Sequence, residues 1–205
     1  MPTAESSLIP PCVAEFEEIR RRTEANWADA VVSPGVSGFQ FQPGTRWNPG
    51  LSSGEIDAYE RALGVRFPAS FRCMLGVMNG TDRPTINVYA STGHPVRQGA
   101  GVYAWPRDLA TVRQMMRYVR EDRAGIAQVL AQQGFRLPPD AQLVPVFSHR
   151  YLVCGPDAQD GLVLSIVRTD AIVYGRTLAE YLQAEFYDDD QLRDSGWGEM
   201  PADSA

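Results

Sequence analysis

The dipeptide Pro138-Pro139 divides this chain into two textures, and the division constrains the fold more than any other feature. Consecutive prolines supply no backbone N–H and hold the preceding residue away from helix, so no regular element runs through them. Before them, apolar residues recur at three- and four-residue intervals. After them come short runs rich in β-branched and aromatic residues: Leu143 to Phe147, Arg150 to Val153 and Leu162 to Val167. Helices first, strands later and a closing helix last read as α+β rather than as alternating βα units. We therefore expect one α+β domain whose mostly antiparallel or mixed sheet packs against several helices. A chain of 205 residues, 44% of them apolar, has the material for one core without a metal or disulfide staple.

The helical half is punctuated by local signals. Phe16, Ile19, Thr23 and Trp27 make one stripe, with Glu17, Glu18 and Arg20 to Arg22 on the solvent side. Residues 33 to 50 hold seven glycines and prolines, too many breakers for a regular element; Phe39, Phe41 and Trp47 are the expected anchors of this loop. Ser52 and Glu55 have capping-box spacing, Ile56, Tyr59 and Leu63 form the next stripe, and Gly64 stops it. Pro68 suits the start of a helix with Phe71, Leu75 and Met78 inward, ended by Asn79-Gly80. Ile86 to Tyr89 is a strand candidate, followed by a Gly-rich stretch from Ser91 to Gly101. Asp108 opens a helix with Val112, Met115 or Met116, and Val119 inward, and Ile126, Val129 and Leu130 mark another that ends at Gly134. Ile172 to Tyr174 adds a last strand. Thr177 and Glu180 repeat the capping-box spacing before Leu178, Tyr181, Leu182, Glu185 and Phe186.

Charge concentrates at one end. Residues 187–205 hold Asp188, Asp189, Asp190, Asp194, Glu199 and Asp203 against the single Arg193, within a formal charge of −6 for the whole chain. We expect a flexible N-terminus at 1–13, the domain at 14–186 and an acidic flexible tail at 187–205. An acidic chain is poorly suited to a phosphate backbone, which speaks against direct nucleic-acid binding. The first residues lack a basic region followed by an apolar core, and no run approaches the roughly 18 apolar residues of a membrane span. Cys12, Cys73 and Cys154 are odd in number, widely spaced and without a CxxC pair, predicting neither a disulfide framework nor a zinc knuckle and fitting a reducing cytoplasm.

Motifs for chemistry fail on context. Gly99, Gly101 and Ala104 match a loose G-x-G-x-x-A, but no buried strand leads into it and Trp105-Pro106 interrupts the helix it should open. His94 and His149 are the two histidines, and neither has a partner at zinc spacing, so no metal or other cofactor is expected. Ser148, His149 and Asp170 are the residue types of a hydrolase triad, yet the first two are adjacent and no G-x-S-x-G elbow exists. The simpler expectation is that His149-Arg150 orders a turn and Arg150 pairs with a carboxylate. Tyr103 and Trp105 are read as core or rim aromatics before they are read as a stacking platform. The chain is expected not to be an enzyme.

Gly50-Leu51-Ser52-Ser53-Gly54-Glu55-Ile56 through Glu60, Leu63-Gly64-Val65-Arg66-Phe67-Pro68 and Asn79-Gly80 resembles the opening of the SUKH superfamily, the Smi/Knr type of domain, with its E-x-x-LG-x-x-x-P … NG pattern. Leu143 to Tyr151, Val163 to Val167, Asp170 to Gly175 and Leu178 to Phe186 are similar to that family's strand region and closing helix, so the resemblance covers roughly residues 14 to 186. The resemblance implies an α+β sheet domain without family-wide catalytic residues. It also implies a bacterial immunity protein that binds and neutralises the toxin of a polymorphic or contact-dependent system. The alternative, implied by the yeast cell-wall regulators of the family, is a cytoplasmic scaffold or regulatory interaction protein. Asp188, Asp189 and Asp190 would meet the basic face of a nuclease toxin by charge steering, and Trp105 is the candidate aromatic anchor for a protein partner.

Overall fold

A computed structural model describes residues 10–36, 38–88, 97–98, 101–156 and 159–186. The tail with Asp188, Asp189 and Asp190, residues 1–9, Gly99 and His94 lie outside them. The first helix, α1 (Pro11–Ala28), begins inside the stretch read as an end segment and buries Phe16, Ile19, Thr23 and Trp27, the stripe expected from spacing. The loop that follows contains two short strands, β1 (Gly38–Gln40) and β2 (Trp47–Pro49), where the density of glycine and proline had predicted no regular element. Each is three residues long, and each is held by pairing to a strand distant in sequence, which no local pattern encodes.

Helix α2 (Ser53–Leu63) starts on Ser52 with both arms of the capping box formed and ends at Gly64 in the left-handed region, φ 68°. Helix α3 (Ala69–Val77) follows Pro68, which is its N-cap. Asn79-Gly80 does not close this helix as a terminal turn. Met78 already belongs to the fully buried strand β3 (Met78–Thr81), antiparallel to β2. Gly80 has φ 64°, and a Cβ there would stand 2.6 Å from Val102 O, so the strand's contact with the segment beyond it requires glycine. Strand β4 (Ile86–Val88) pairs with β1 on one side and with β5 (Arg97–Gln98) on the other.

Helices α4 (Leu109–Glu121) and α5 (Arg123–Gln132) precede the prolines, and the β texture beyond them is a four-stranded antiparallel meander. Its strands are β6 (Gln142–Phe147), β7 (Arg150–Cys154), β8 (Val163–Val167) and β9 (Asp170–Gly175), in that order. Helix α6 (Leu178–Phe186) closes the domain. Val144, Val146, Leu152, Cys154 and Val163 join a core with α1, α2, α3, α6 and the inner side of α4. Leu143, Tyr151, Val153, Leu164 and Ile166 join a second core with Ile126 and Leu130 of α5. Apolar residues on both faces explain why β6 to β8 read as nearly continuous apolar runs. The result is a single-domain α+β fold.

An aromatic cluster ties the two ends together. Trp27 stacks on Phe41 at 4.2 Å between ring centroids, and Phe186 meets Trp27, Phe41, Trp47 and Phe147 edge-on at 5.2 to 5.9 Å. Phe39 reaches Phe147 at 5.6 Å, so all three expected loop anchors are seated. The Trp47 indole donates to Thr23 Oγ1 at 2.7 Å, and Thr23 donates in turn to Ile19 O at 2.8 Å, leaving this buried polar pair satisfied.

The cysteines correct the expectation from their count. Cys12 in the first turn of α1 and Cys73 in α3 form a disulfide, with Cα atoms 6.3 Å apart, while Cys154 is free and buried. Packing of α1 against α3 brings together two residues 61 positions apart, which spacing alone does not reveal. Among the described residues, no helix is long and apolar enough to cross a membrane.

Candidate functional site

A dense polar cluster lies where the β6–β7 hairpin meets α6. Phe147 and Arg150 are paired across the hairpin, leaving Ser148-His149 as a two-residue turn with φ 45° at Ser148, the positive value such tight turns require. Arg150 is the first residue of β7, in register with Ser165 of β8, so both stand on the sheet face that α6 covers. Its Nη1 donates to Ser165 Oγ at 2.8 Å and also to His149 Nε2. Its Nε donates to Glu185 Oε2 at 3.1 Å, and the guanidinium lies 3.9 Å above the Tyr174 ring centroid. Arg150 and Glu185 side chains are each 12% exposed. The expectation that Arg150 pairs with a carboxylate is met, and the carboxylate is Glu185.

The electrostatics follow from burial. Burial raises the Glu185 carboxyl, while the charge and hydrogen bond of Arg150 pull it back down. His149 is lowered to about 4, first by burial and then by the Arg150 charge. Burial also raises Tyr174 and Tyr181; the Tyr181 hydroxyl is fully buried and has no hydrogen-bond partner among the described residues.

This geometry decides what Ser148 and His149 do. A guanidinium only donates, so His149 Nε2 is the nitrogen that accepts, and the ring proton sits on Nδ1. Nδ1 is 3.2 Å from Ser148 Oγ and donates to it. A triad needs the reverse, a base that accepts the serine proton while a carboxylate holds its other nitrogen. Asp170 does not supply that carboxylate: it opens β9, exposed, in register with Val167. Burial pushes the Cys154 thiol far above its ordinary range, which keeps it from acting as a thiolate.

A second polar knot joins α2 to α3. The Glu60 side chain, 7% exposed, accepts the Phe67 N–H at 2.6 Å and Arg72 Nη1 at 2.6 Å, while Asp57 takes Arg72 Nη2 at 2.8 Å. These bonds hold the Gly64–Pro68 link beside a cleft of about 460 Å³ lined by Asp57, Glu60, Arg61, Gly64, Val65 and Arg66.

Trp105 is half-buried. It stacks on Tyr59 at 4.9 Å, and its backbone N–H and carbonyl are both bound by the Asn79 side chain, at 2.9 and 2.7 Å. Tyr103 donates to Met115 Sδ at 2.9 Å. Gly101 and Ala104 flank a segment in which Val102 bridges to Phe147, so this stretch extends the β6 edge and opens no phosphate-binding turn. Among the described residues, no three His, Cys, Asp or Glu side chains are placed to hold a metal ion.

Sequence reasoning missed Glu185 as the partner of Arg150, although a signal was present. Glu185 falls on the inward stripe of α6 with Leu178, Tyr181 and Leu182, and a carboxylate at a buried helix position calls for a cation. In comparison with known proteins, no family model matches the chain, and no curated protein matches it either.

Proposed function

We propose that this chain is a non-catalytic protein-binding domain, an immunity protein of the SUKH type that neutralises a cognate toxin, a nuclease in the simplest case, in the cytoplasm of a bacterium. The observation that carries the reading is the orientation of His149, whose accepting nitrogen is occupied by Arg150 and whose proton points at Ser148. The cluster with the greatest catalytic potential is thereby committed to joining β7, β8 and α6. The order of elements, with the Ser52 to Pro68 helix start and stop and the closing α6, supports the family reading.

The test is to recover a stoichiometric partner of the tagged chain and to express that partner alone and together with the chain. A partner that kills cells alone and spares them in the chain's presence supports the immunity role. Several harmless, substoichiometric partners would replace it with the scaffold role.

A further inference from the structure

The arginines of α1 are paired along their own helix: Arg20 with Glu24 at 3.3 Å and Arg21 with Glu18 at 2.6 Å. Helix α4 departs from that habit. Its inward stripe is Val112, Met116 and Val119, which leaves Arg113, Arg117 and Arg120 stacked at four- and three-residue spacing on its outer flank. Like charges at those spacings repel one another. Arg117 and Arg120 are exposed and have no hydrogen-bond or ion-pair partner among the described residues.

The flank is continuous with the end of α2. Arg113 Nη2 donates to Ala62 O at 2.7 Å, crossing between the helices and satisfying a carbonyl at the negative end of α2. Beyond it, on the cleft beside Gly64, stand Arg61, exposed, and Arg66, 91% exposed with its Nη1 3.9 Å from Glu60 Oε2. Tyr118, 55% exposed, shares another part of the outer face with Gln114, whose Nε2 donates to its hydroxyl at 2.9 Å.

We infer that this surface, Arg61 and Arg66 with Arg117 and Arg120, docks an acidic segment of a protein partner. Guanidinium forks match carboxylates bidentately, and complementary charge supplies both steering and register. Glu121, Asp122 and Asp57 border the patch, and the whole chain carries −6. A short carboxylate-bearing segment fits between those acids, whereas a nucleic-acid backbone, with one charge per ~1.7 Å of duplex, would run across them. The inference does not depend on the toxin reading, because it is tested by direct binding.

The probe is a short fluorescein-labelled glutamate-rich peptide, titrated with the full-length chain and followed by anisotropy. Saturable binding is expected to weaken as salt rises and to fall at least about tenfold in R117E/R120E. Arg46→Glu, an exposed arginine of the β2 loop, should leave it unchanged, and circular dichroism should show both variants folded. No saturable binding, equal loss in Arg46→Glu, or a single-stranded oligonucleotide that binds as tightly as the peptide would each overturn the inference. So would peptide binding that appears only when the six acids of residues 187–205 are changed to Asn and Gln, which would make the chain's own tail the occupant.

Discussion

Arg150 of β7 reaches Glu185 of α6 at 3.1 Å, and these two nearly buried charges fasten the last helix to the sheet. Removing one partner strands the other in a low-dielectric site. Arg150→Met or Glu185→Leu alone is expected to cost about 3 to 5 kcal/mol. R150M/E185L should cost clearly less than the sum, because it removes both desolvation penalties. Urea denaturation of the three variants measures this, and strict additivity would show that the two residues are not coupled.

His149 gives the fold an acid-side weakness. Its pKa is held down to about 4 in the folded protein against 6.5 ordinarily, so the unfolded chain binds the proton more readily. The stability it contributes is complete above about pH 6.5 and is lost as the pH falls toward 4. Glu185 works in the opposite direction: its raised carboxyl contributes stability below its ordinary value, 4.5, that is lost as the pH climbs through its folded value. His149→Gln should therefore flatten the decline in urea midpoint between pH 6.5 and 4. Parallel profiles for the variant and the parent would dismiss His149 as the cause.

The Cys12–Cys73 bond closes a loop of 61 residues. On the chain-entropy account a loop of that length is worth about 4 kcal/mol, so reduction, or Cys12→Ser, should lower the unfolding free energy by that order. Mass spectrometry of alkylated protein, with and without reductant, establishes the bond directly. In a reducing cytoplasm the pair would stand as a dithiol. Thiol trapping in intact cells thus tests the proposed location independently of any binding partner.

Gly80→Ala is expected to destabilise by about 2 to 4 kcal/mol, combining left-handed backbone strain with forced overpacking. The added methyl would press on Val102 O, 2.6 Å from the Cβ position. A thermal melt compares it with Gly54→Ala, where a Cβ meets open space. Equal melting points would mean that the β3 approach to Val102 is not held in solution.

What could be read from the sequence was local in its physics. Ser52 and Glu55 lie within one turn of each other, so their reciprocal bonds follow from spacing, as does the left-handed Gly64. The stripe Phe16, Ile19, Thr23 and Trp27 is likewise a property of one helix. β1 and β2 went unread because a three-residue strand has no periodicity and exists only through its partners. Asn79-Gly80 is a turn signal overridden by tertiary pairing with β2, and Asn79 spends its amide on Trp105 rather than on a helix end. At the site, Arg150 and its turn were legible from the hairpin's own residues. Glu185, 35 positions away, was not, because only packing of α6 brings it there.

Phe186, the last described residue, fills the space between Trp27, Phe41 and Trp47 near the start of the chain. During synthesis the N-terminal helix therefore leaves the ribosome long before the ring that covers its indole has been made. Trp27 must go without that cover, or be shielded by a chaperone, until residue 186 has been made. The native packing of the domain is thus completed only once α6 has been made, and a ribosome stalled before Phe186 would hold an incompletely covered chain.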